Sequence, residues 1–378
     1  MRNRRVARSI STERFRLTPA DAPLRLRDSV DVLAAVPFLL GYHPADSIVV
    51  VGLHDQMQRM TVRYDLPPPG VDVADHLGAR AGDPVVVLRR SGVSAVLLIG
   101  YGEPGNVADS MRWLHRAYRL GGLDVIEALQ TYAGRYRSVL CADTDCCPVE
   151  GRSFEPRDTR VAAECTVAGW VALPDREAYE AQLRPIGGTA RHAMRAAATL
   201  ADERLYALLT HPPREGTVER LVLTEGRTAV IGAEERYLGG GRLDDEEVAW
   251  LAILLRAIAV RDVAWSRISG GRERLQVLRA LWLDVVRRCQ PELSVPPLCL
   301  FAFATWRCGD GALARLALET AMDLDPRYTL ATEVLYPMVA SGMPPSTMRG
   351  FPWALFRPRP GSRPRRRSAS RRAESRPE

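Results

Sequence analysis

A histidine, an aspartate and a serine lie close together in the stretch "GYHPADS", Gly41 to Ser47, directly before a run of valines. His43, Asp46 and Ser47 could supply a base, an orienting acid and a nucleophile, because loops at strand ends often hold such groups. Pro44 disfavours helical backbone at His43, and short polar side chains such as Asp46 and Ser47 suit a turn that bonds its own backbone. Triad members so close in sequence seldom reach the required geometry. The pattern therefore favours a structural corner, with a ligand site as the alternative.

Two further groups of polar residues could line a site. Arg63 and Asp65 share one strand face by period two, so they form either a paired couple or one wall of a polar site. Glu103 lies in "GYGEPGN" between a buried strand and a helix, where α/β sheets bind anions and nucleotides. Its charge and Pro104 argue against a phosphate loop. The candidate ligand-binding residues are His43, Asp46, Ser47, Arg63, Asp65 and Glu103.

Three thiols in "CADTDCC" could bind a metal. Cys141, Cys146 and Cys147 are candidate ligands, with Cys165 as a distant fourth. A tetrahedral zinc site needs four ligands, usually in pairs two to four residues apart, and adjacent cysteines are awkward for one ion. A redox pair, a reactive thiol and buried cysteines at a junction stay open as alternatives.

Lysine is absent from the sequence, so all 52 basic residues are arginine. This excludes a Schiff-base lysine, a lysine cofactor anchor and the lysine of a phosphate-binding loop. We identify no catalytic residue and expect no cofactor.

The net charge of +7 is concentrated at the two ends of the chain. The segment 357–378 contains nine Arg against two Glu, and 1–16 contains six Arg against one Glu. The chain between them is mildly acidic. The C-terminal tail should attract nucleic acid or another polyanion weakly and in a salt-sensitive way, since it lacks aromatic residues for base stacking.

Hydropathy and cysteine content predict a cytoplasmic protein without membrane contact. The N-terminus lacks the apolar core of a signal peptide, and the longest apolar stretch, "VPPLCLFAFATW", is shorter than the ~20 residues that span a bilayer. Seven cysteines, an odd number, suggest reduced thiols.

These residues must be positioned by elements whose order the hydrophobic pattern predicts. Strands alternating with helices predict a three-layer α/β domain over 27–147, and a hairpin of strands 47–53 and 59–67 makes its sheet mixed. An all-α helical domain over 161–345 follows a linker at 148–160. We predict a mobile basic arm at 1–26 and a disordered Arg-rich tail at 357–378. The predicted strands are 47–53, 59–67, 94–102, 124–132 and 135–143, and the predicted helices are 27–40, 72–90, 106–121, 175–184, 188–210, 244–260, 272–289, 295–307, 311–323 and 327–341.

Several stretches resemble a known family. "VDVLAAVPFLLGYHPADSIVVVGL", "VRYDLP", "CADTDCCPVEG" and "FATWRCGDGALARLALETAMDLDPRYTLA" occur in the same order in an uncharacterised actinobacterial family, domain-of-unknown-function family four-one-nine-two. The resemblance covers about residues 19 to 350. It implies an actinobacterial cytosolic protein and carries no assigned reaction, cofactor or catalytic residue.

A weaker similarity concerns the last helices. If Pro326 closes a tetratricopeptide-like unit, Ala314, Leu318 and Ala321 occupy its helix-packing positions, but the tryptophan and the glycine of that pattern are missing. The segment is either a helical hairpin in a bundle or part of a peptide-binding groove, through which the C-terminal helices could bind a protein partner.

Two functions remain open. The favoured one is a non-catalytic binding or scaffold protein. The alternative is a small-molecule enzyme with its site at the strand ends of the N-terminal α/β domain, where "SIVVVGL" and "SAVLLIGY" end.

Overall fold

The structure is a computed structural model that describes residues 15–17, 24–210, 217–343 and 345–348. The chain up to Ser153, the sheet-bearing half, contains one sheet and three α-helices, and the remainder of the described chain, the helical half, is mostly helical. The strands are β1 (Phe15–Leu17), β2 (Leu24–Leu26), β3 (Ser47–His54), β4 (Met57–Asp65), β5 (Ala95–Tyr101), β6 (Asp124–Tyr132), β7 (Arg135–Ser138) and β8 (Arg152–Ser153).

The sheet is mixed, as predicted from the hairpin formed by strands 47–53 and 59–67. Its order is β2-β1-β4-β3-β5-β6-β7-β8. β3 forms an antiparallel hairpin with β4 and also pairs antiparallel with β5, whereas β5 and β6 are parallel. The start of β3 therefore lies beside the ends of β4 and β5, and residues from all three strands meet there.

Helices cover both faces of the sheet. α2 (Val73–Arg90) and α3 (Pro104–Leu120) bury Ile48 and Val50, while α1 (Ser29–Leu40) lies on the face that contains Val49 and Val51. β3 is buried on both sides, which explains its continuous apolar sequence. The predicted three-layer arrangement is confirmed.

Two short strands lie within the segment predicted as the N-terminal arm. β1 pairs with both β2 and β4, so residues 15–17 and 24–26 belong to the sheet. Leu24 and Leu26 are buried against the core because their alternating pattern places both on one face. The sequence did not reveal these two strands, since a short alternating pair gives too little signal to be read as a strand.

Most of the remaining chain is helical, and several element boundaries differ from the prediction. The predicted helix 244–260 is two helices, the predicted strand 135–143 ends at Ser138, and an unpredicted helix spans Val218–Leu238. The helices are α4 (Arg160–Val167), α5 (Arg176–Glu180), α6 (Gly188–Thr210), α7 (Val218–Leu238), α8 (Asp245–Leu254), α9 (Ile258–Arg267), α10 (Arg272–Arg288), α11 (Val295–Arg307), α12 (Gly311–Leu324) and α13 (Tyr336–Ala340).

The last helices form a closely packed hairpin. α12 packs against α11, and a π-helical segment, Leu330–Leu335, leads into α13. Ala314, Leu318 and Ala321 are buried in this hairpin. A tetratricopeptide-like groove at this place stays a prediction.

Two hydrophobic clusters stabilise the molecule. The smaller one lies between the sheet and α2 with α3, and contains the buried pair Tyr64 and Tyr118, whose hydroxyls are 3.1 Å apart. The larger one begins on the opposite face of the sheet and continues without interruption into the helical half. The predicted tail 357–378 lies outside the described residues. Within the described ranges, the helices are too short or too polar to cross a membrane.

Candidate functional site

The turn before β3 is fixed to a distant segment through its backbone. α1 ends at Gly41, which has φ 81° and adopts the left-handed conformation that glycine tolerates. The Leu173 N–H donates to the Gly41 carbonyl at 2.8 Å, and the His43 N–H donates to the Leu173 carbonyl at 3.0 Å. These two bonds join the turn to the chain that precedes α5.

His43 and Asp46 have mainly backbone roles in this turn. Asp46 has φ 40°, a conformation that aspartate adopts more readily than most residues, and its carbonyl accepts the Leu66 N–H at 3.0 Å. Burial lowers the pKa of the partly buried His43, and the charge of Arg157 lowers it further. His43 is therefore held neutral near pH 7.

Ser47 lies at the point where three strands meet. It is directly opposite Asp65 on β4 and opposite Tyr101 on β5, and it is fully buried. Residues directly opposite each other in neighbouring strands project from the same face of a sheet. That face is the one covered by α1, because Val49, two residues further along β3, belongs to the larger cluster.

Asp65 is paired with two arginines from different parts of the chain. Arg63 donates to its carboxylate at 2.6 Å, and Arg176 of α5 donates to both carboxylate oxygens at 3.2 and 3.3 Å. Burial alone would raise the pKa of Asp65, but hydrogen bonds and charge from Arg63 and Arg176 outweigh burial and hold it below its usual value. Arg176 also donates to Glu180 at 2.6 Å. The two arginines and two carboxylates balance in charge.

Aromatic contacts connect this end of the sheet to the helical half. The rings of Tyr42 and Tyr179 have centroids 5.0 Å apart. The Tyr179 hydroxyl donates to Asp310 at 2.6 Å, and Asp310 also caps α12 and pairs with Arg279 at 3.4 Å. Burial, with the charge of Asp310, raises the pKa of Tyr179 well above its usual value. The Tyr179 hydroxyl thus stays protonated and acts as a donor.

Six side chains at the start of β3 and the ends of β4 and β5 form a group that we call the strand-end cluster. Three of its buried polar atoms, Ser47 Oγ, Tyr101 Oη and Arg63 Nε, have no hydrogen-bond partner among the described residues. Burial also raises the pKa of Tyr101, so that its hydroxyl keeps its proton. The cluster consists of Tyr42, Ser47, Arg63, Asp65, Tyr101 and Arg176.

The loop that contains Glu103 packs closely against α3 and the turn before β3. A side chain at Gly100 would lie 2.2 Å from Val107 Cγ1, so this glycine lets α3 pack on β5. Gly102 has φ 131°, and its α-carbon lies so near Asp46 that an added Cβ would be 3.1 Å from the carboxylate. Glu103 is exposed at the start of α3. Two acidic groups beside this helix N-terminus disfavour an anion there.

The three cysteines of "CADTDCC" converge in the loop between β7 and β8. Their sulfur atoms all lie within 4.8 Å of one another, although Cys141 and Cys146 are separated in sequence. Burial raises the pKa of Cys147 to about 11. Without a bound cation this thiol is protonated near pH 7 and is a weak nucleophile. Cys165, the distant fourth cysteine, is buried in the larger hydrophobic cluster.

Sequence reasoning identified half of the strand-end cluster. Ser47, Arg63 and Asp65 were candidates, whereas Tyr42, Tyr101 and Arg176 were not. Tyr101 ends a buried strand and could have been found from strand pairing. Arg176 lies 111 residues from Asp65, and a contact of that range leaves no periodic signal in a single sequence.

The fold and the site define a mixed α/β sheet protein with a helical second half and a polar cluster where the two meet. The chain belongs to the family described as Domain of unknown function (DUF4192), whose model matches residues 30–346. Neither the curated proteins nor the solved structures contain a match to this chain.

Proposed function

We propose that this protein is a non-catalytic binding protein that holds a small, uncharged, oxygen-rich molecule at the strand-end cluster. The observation that supports the proposal is the presence of three buried donors without a partner, on Ser47, Tyr101 and Arg63, at neighbouring positions of one sheet face. Leaving a buried donor unpaired costs about 1–3 kcal/mol, so a ligand that accepts these bonds would recover that cost.

The charge balance of the cluster indicates the class of ligand. Arg63 and Arg176 are neutralised by Asp65 and Glu180, which leaves no net charge to attract an anion. Hydroxyl and carbonyl oxygens can accept hydrogen bonds from serine, tyrosine and guanidinium donors. Monosaccharides and nucleosides have this chemistry.

Binding is favoured over catalysis because the groups of the cluster are poorly suited to proton transfer. The carboxylate of Asp65 is engaged by two arginines that lower its pKa, which makes it a weak base. Burial raises the pKa of Tyr101, and the hydroxyl of Ser47 is fully buried. These groups can orient a ligand more readily than activate one.

The test is a thermal-shift screen of the purified full chain with monosaccharides and nucleosides. At least one compound should raise the melting temperature, and Ser47→Ala and Tyr101→Phe should each weaken its binding by at least about tenfold, the loss of one buried hydrogen bond. Without ligand, Ser47→Ala should be neutral or slightly stabilising, since it removes an unpaired hydroxyl.

Ser110→Ala is the matched control. The Ser110 hydroxyl is also buried and without a partner among the described residues, but it lies on α3. This variant should keep the full shift. If Ser47→Ala and Ser110→Ala keep it equally, or if no compound shifts the wild type, the proposal is wrong.

A reducing cytosol is the proposed location, supported by the seven free cysteines. The tail 357–378 is proposed as a second, independent contact for polyanions, supported by its nine arginines. A protein partner for the C-terminal helices is likewise a proposal, motivated by the sequence similarity given above.

A further inference from the structure

The loop between β7 and β8 contains three thiols that are close enough together to bind one metal ion. The sulfur atoms of Cys141, Cys146 and Cys147 lie within 4.8 Å of one another, and those of Cys146 and Cys147 are 3.9 Å apart. Zinc–sulfur bonds of about 2.3 Å in tetrahedral geometry place sulfur atoms about 3.8 Å apart. The three thiols are therefore within about 1 Å of the required spacing without any ion.

Hydrogen bonds within the loop already fix the backbone that positions these thiols. The Asp143 carboxylate accepts the N–H groups of Asp145 at 2.9 Å and Cys146 at 3.2 Å. The Asp143 carbonyl accepts the Cys147 N–H at 2.7 Å. Arg152 of β8 donates to the Asp145 carbonyl at 3.3 Å, which fastens the loop to the sheet edge. Little rearrangement would be needed on binding.

The set of ligands also defines the type of site. All three cysteines are partly buried and free, and in the part of the chain that the structure describes no fourth histidine, cysteine or carboxylate joins the group. Soft thiolates select ions such as Zn²⁺ over Mg²⁺ or Ca²⁺. Three protein ligands with one open position are typical of zinc sites that accept water or an incoming ligand.

We propose that Cys141, Cys146 and Cys147 bind one zinc ion whose fourth position is open to water or to an exogenous ligand. The three thiols bind as thiolates and release their protons on binding. The site is independent of the strand-end cluster, so either proposal can fail alone. Sequence spacing alone disfavours this site, because adjacent cysteines such as Cys146 and Cys147 usually cannot bind the same ion. In the structure, however, the turn at Asp143 brings the sulfur atom of Cys141 close to those of Cys146 and Cys147.

The test is a competition titration of the reduced full chain with Zn²⁺ and a chromophoric chelator. One ion should bind per chain, and Cys141→Ser, Cys146→Ser and Cys147→Ser should each weaken binding by more than about 100-fold, beyond the loss typical of an outer-shell partner. Co²⁺ in place of Zn²⁺ should give thiolate-to-metal charge-transfer absorption. Cys308→Ser, which removes another partly buried thiol, should change neither result.

A second measurement on the unaltered chain covers the event that a serine variant misfolds. Thiol alkylation followed by mass spectrometry should show Zn²⁺ protecting Cys141, Cys146 and Cys147, while the alkylation rate of Cys308 stays the same. Equal rates with and without Zn²⁺, binding of less than one ion, or an equal effect of Cys308→Ser would each overturn the proposal.

Asp143 supplies a test of positioning. Asp143→Ala removes the acceptor that shapes the loop and should weaken Zn²⁺ binding by about tenfold, within the range for outer-shell partners. Asp143→Asn keeps an oxygen acceptor and should restore most of the affinity. An equal loss of Zn²⁺ affinity in both variants would mean that Asp143 acts through its negative charge and not through the hydrogen bonds that shape the turn.

Discussion

Asp65 shows how the strand-end cluster depends on pH. Its pKa is lowered in the folded protein, because its interactions with Arg63 and Arg176 outweigh the effect of burial. A group whose folded pKa is depressed stabilises the fold above its unfolded pKa, about 3.9 for aspartate, and loses that contribution as the pH falls through the folded pKa. The contribution is at most about 1 kcal/mol, since nearly half of the side chain is exposed to screening by water.

We therefore expect Asp65→Asn to flatten the acid limb of the stability profile. Between pH 6 and about pH 4 the wild type should be the more stable, and the difference should shrink below about pH 4 as Asp65 gains its proton. Denaturant unfolding at several pH values measures this. Asp202→Asn, on an exposed position of α6, is the control and should leave the profile parallel to the wild type.

The residue scale also shows what one sequence can and cannot reveal about the site. The two-residue period of a strand places Arg63 and Asp65 on one face. In the structure, Arg63 Nη1 lies 2.6 Å from Asp65 Oδ1. The second partner of Asp65 comes from α5, across a contact that depends on how the helical half docks on the sheet. Ser47 and Tyr101 become neighbours only through the order of the strands.

At the scale of elements, α7 is the clearest omission of sequence reasoning. Gly226 and Gly232 lie inside this helix, and glycine lowers helix propensity by about 1 kcal/mol relative to alanine. The reason for Gly226 is tertiary: an added Cβ would lie 2.3 Å from Val260 of α9. Close packing of α7 on α9 thus requires a residue that weakens the local helical signal.

These two glycines give a matched prediction. Gly226→Ala should destabilise the protein by about 1–3 kcal/mol through overpacking against Val260. Gly232→Ala, which would contact nothing within 4 Å, should stabilise it by about 0.5–1 kcal/mol through helix propensity. Denaturant midpoints of both variants give the comparison. A stabilising effect at both positions would contradict the packing of α7 on α9.

Much of the element order was predictable because buried strands and amphipathic helices differ in period. The strand 124–132 and the helix 188–210 agree with the prediction to the residue. The predicted ends of helices and strands were wrong where the chain turns without residues that typically mark a turn. The split between α8 and α9 is an example, since apolar residues such as Leu255 and Ala257 continue across it while Ala257 adopts extended backbone.

At the scale of the whole molecule, the C-terminal tail is the more strongly basic of the two ends, with nine Arg against two Glu. Deleting 357–378 should abolish retention of single-stranded RNA by the full chain at about 50 mM salt, and the affinity of the intact chain should fall at least tenfold at about 200 mM. Filter binding measures both. A tail of the same composition in scrambled order should bind equally, because phosphate attraction is independent of sequence. Unchanged retention after deletion would disprove the contact.

The continuous hydrophobic cluster that joins the sheet to the helical half has a consequence for how such a chain can evolve. The sheet-bearing half has an apolar surface that is buried against the helical half. Without the helical half this surface would be exposed to water, so the sheet-bearing half cannot be transferred alone to another protein. Any fusion protein that kept this half would need another domain whose apolar surface has a matching shape. Recombination is therefore expected to have moved the two halves together.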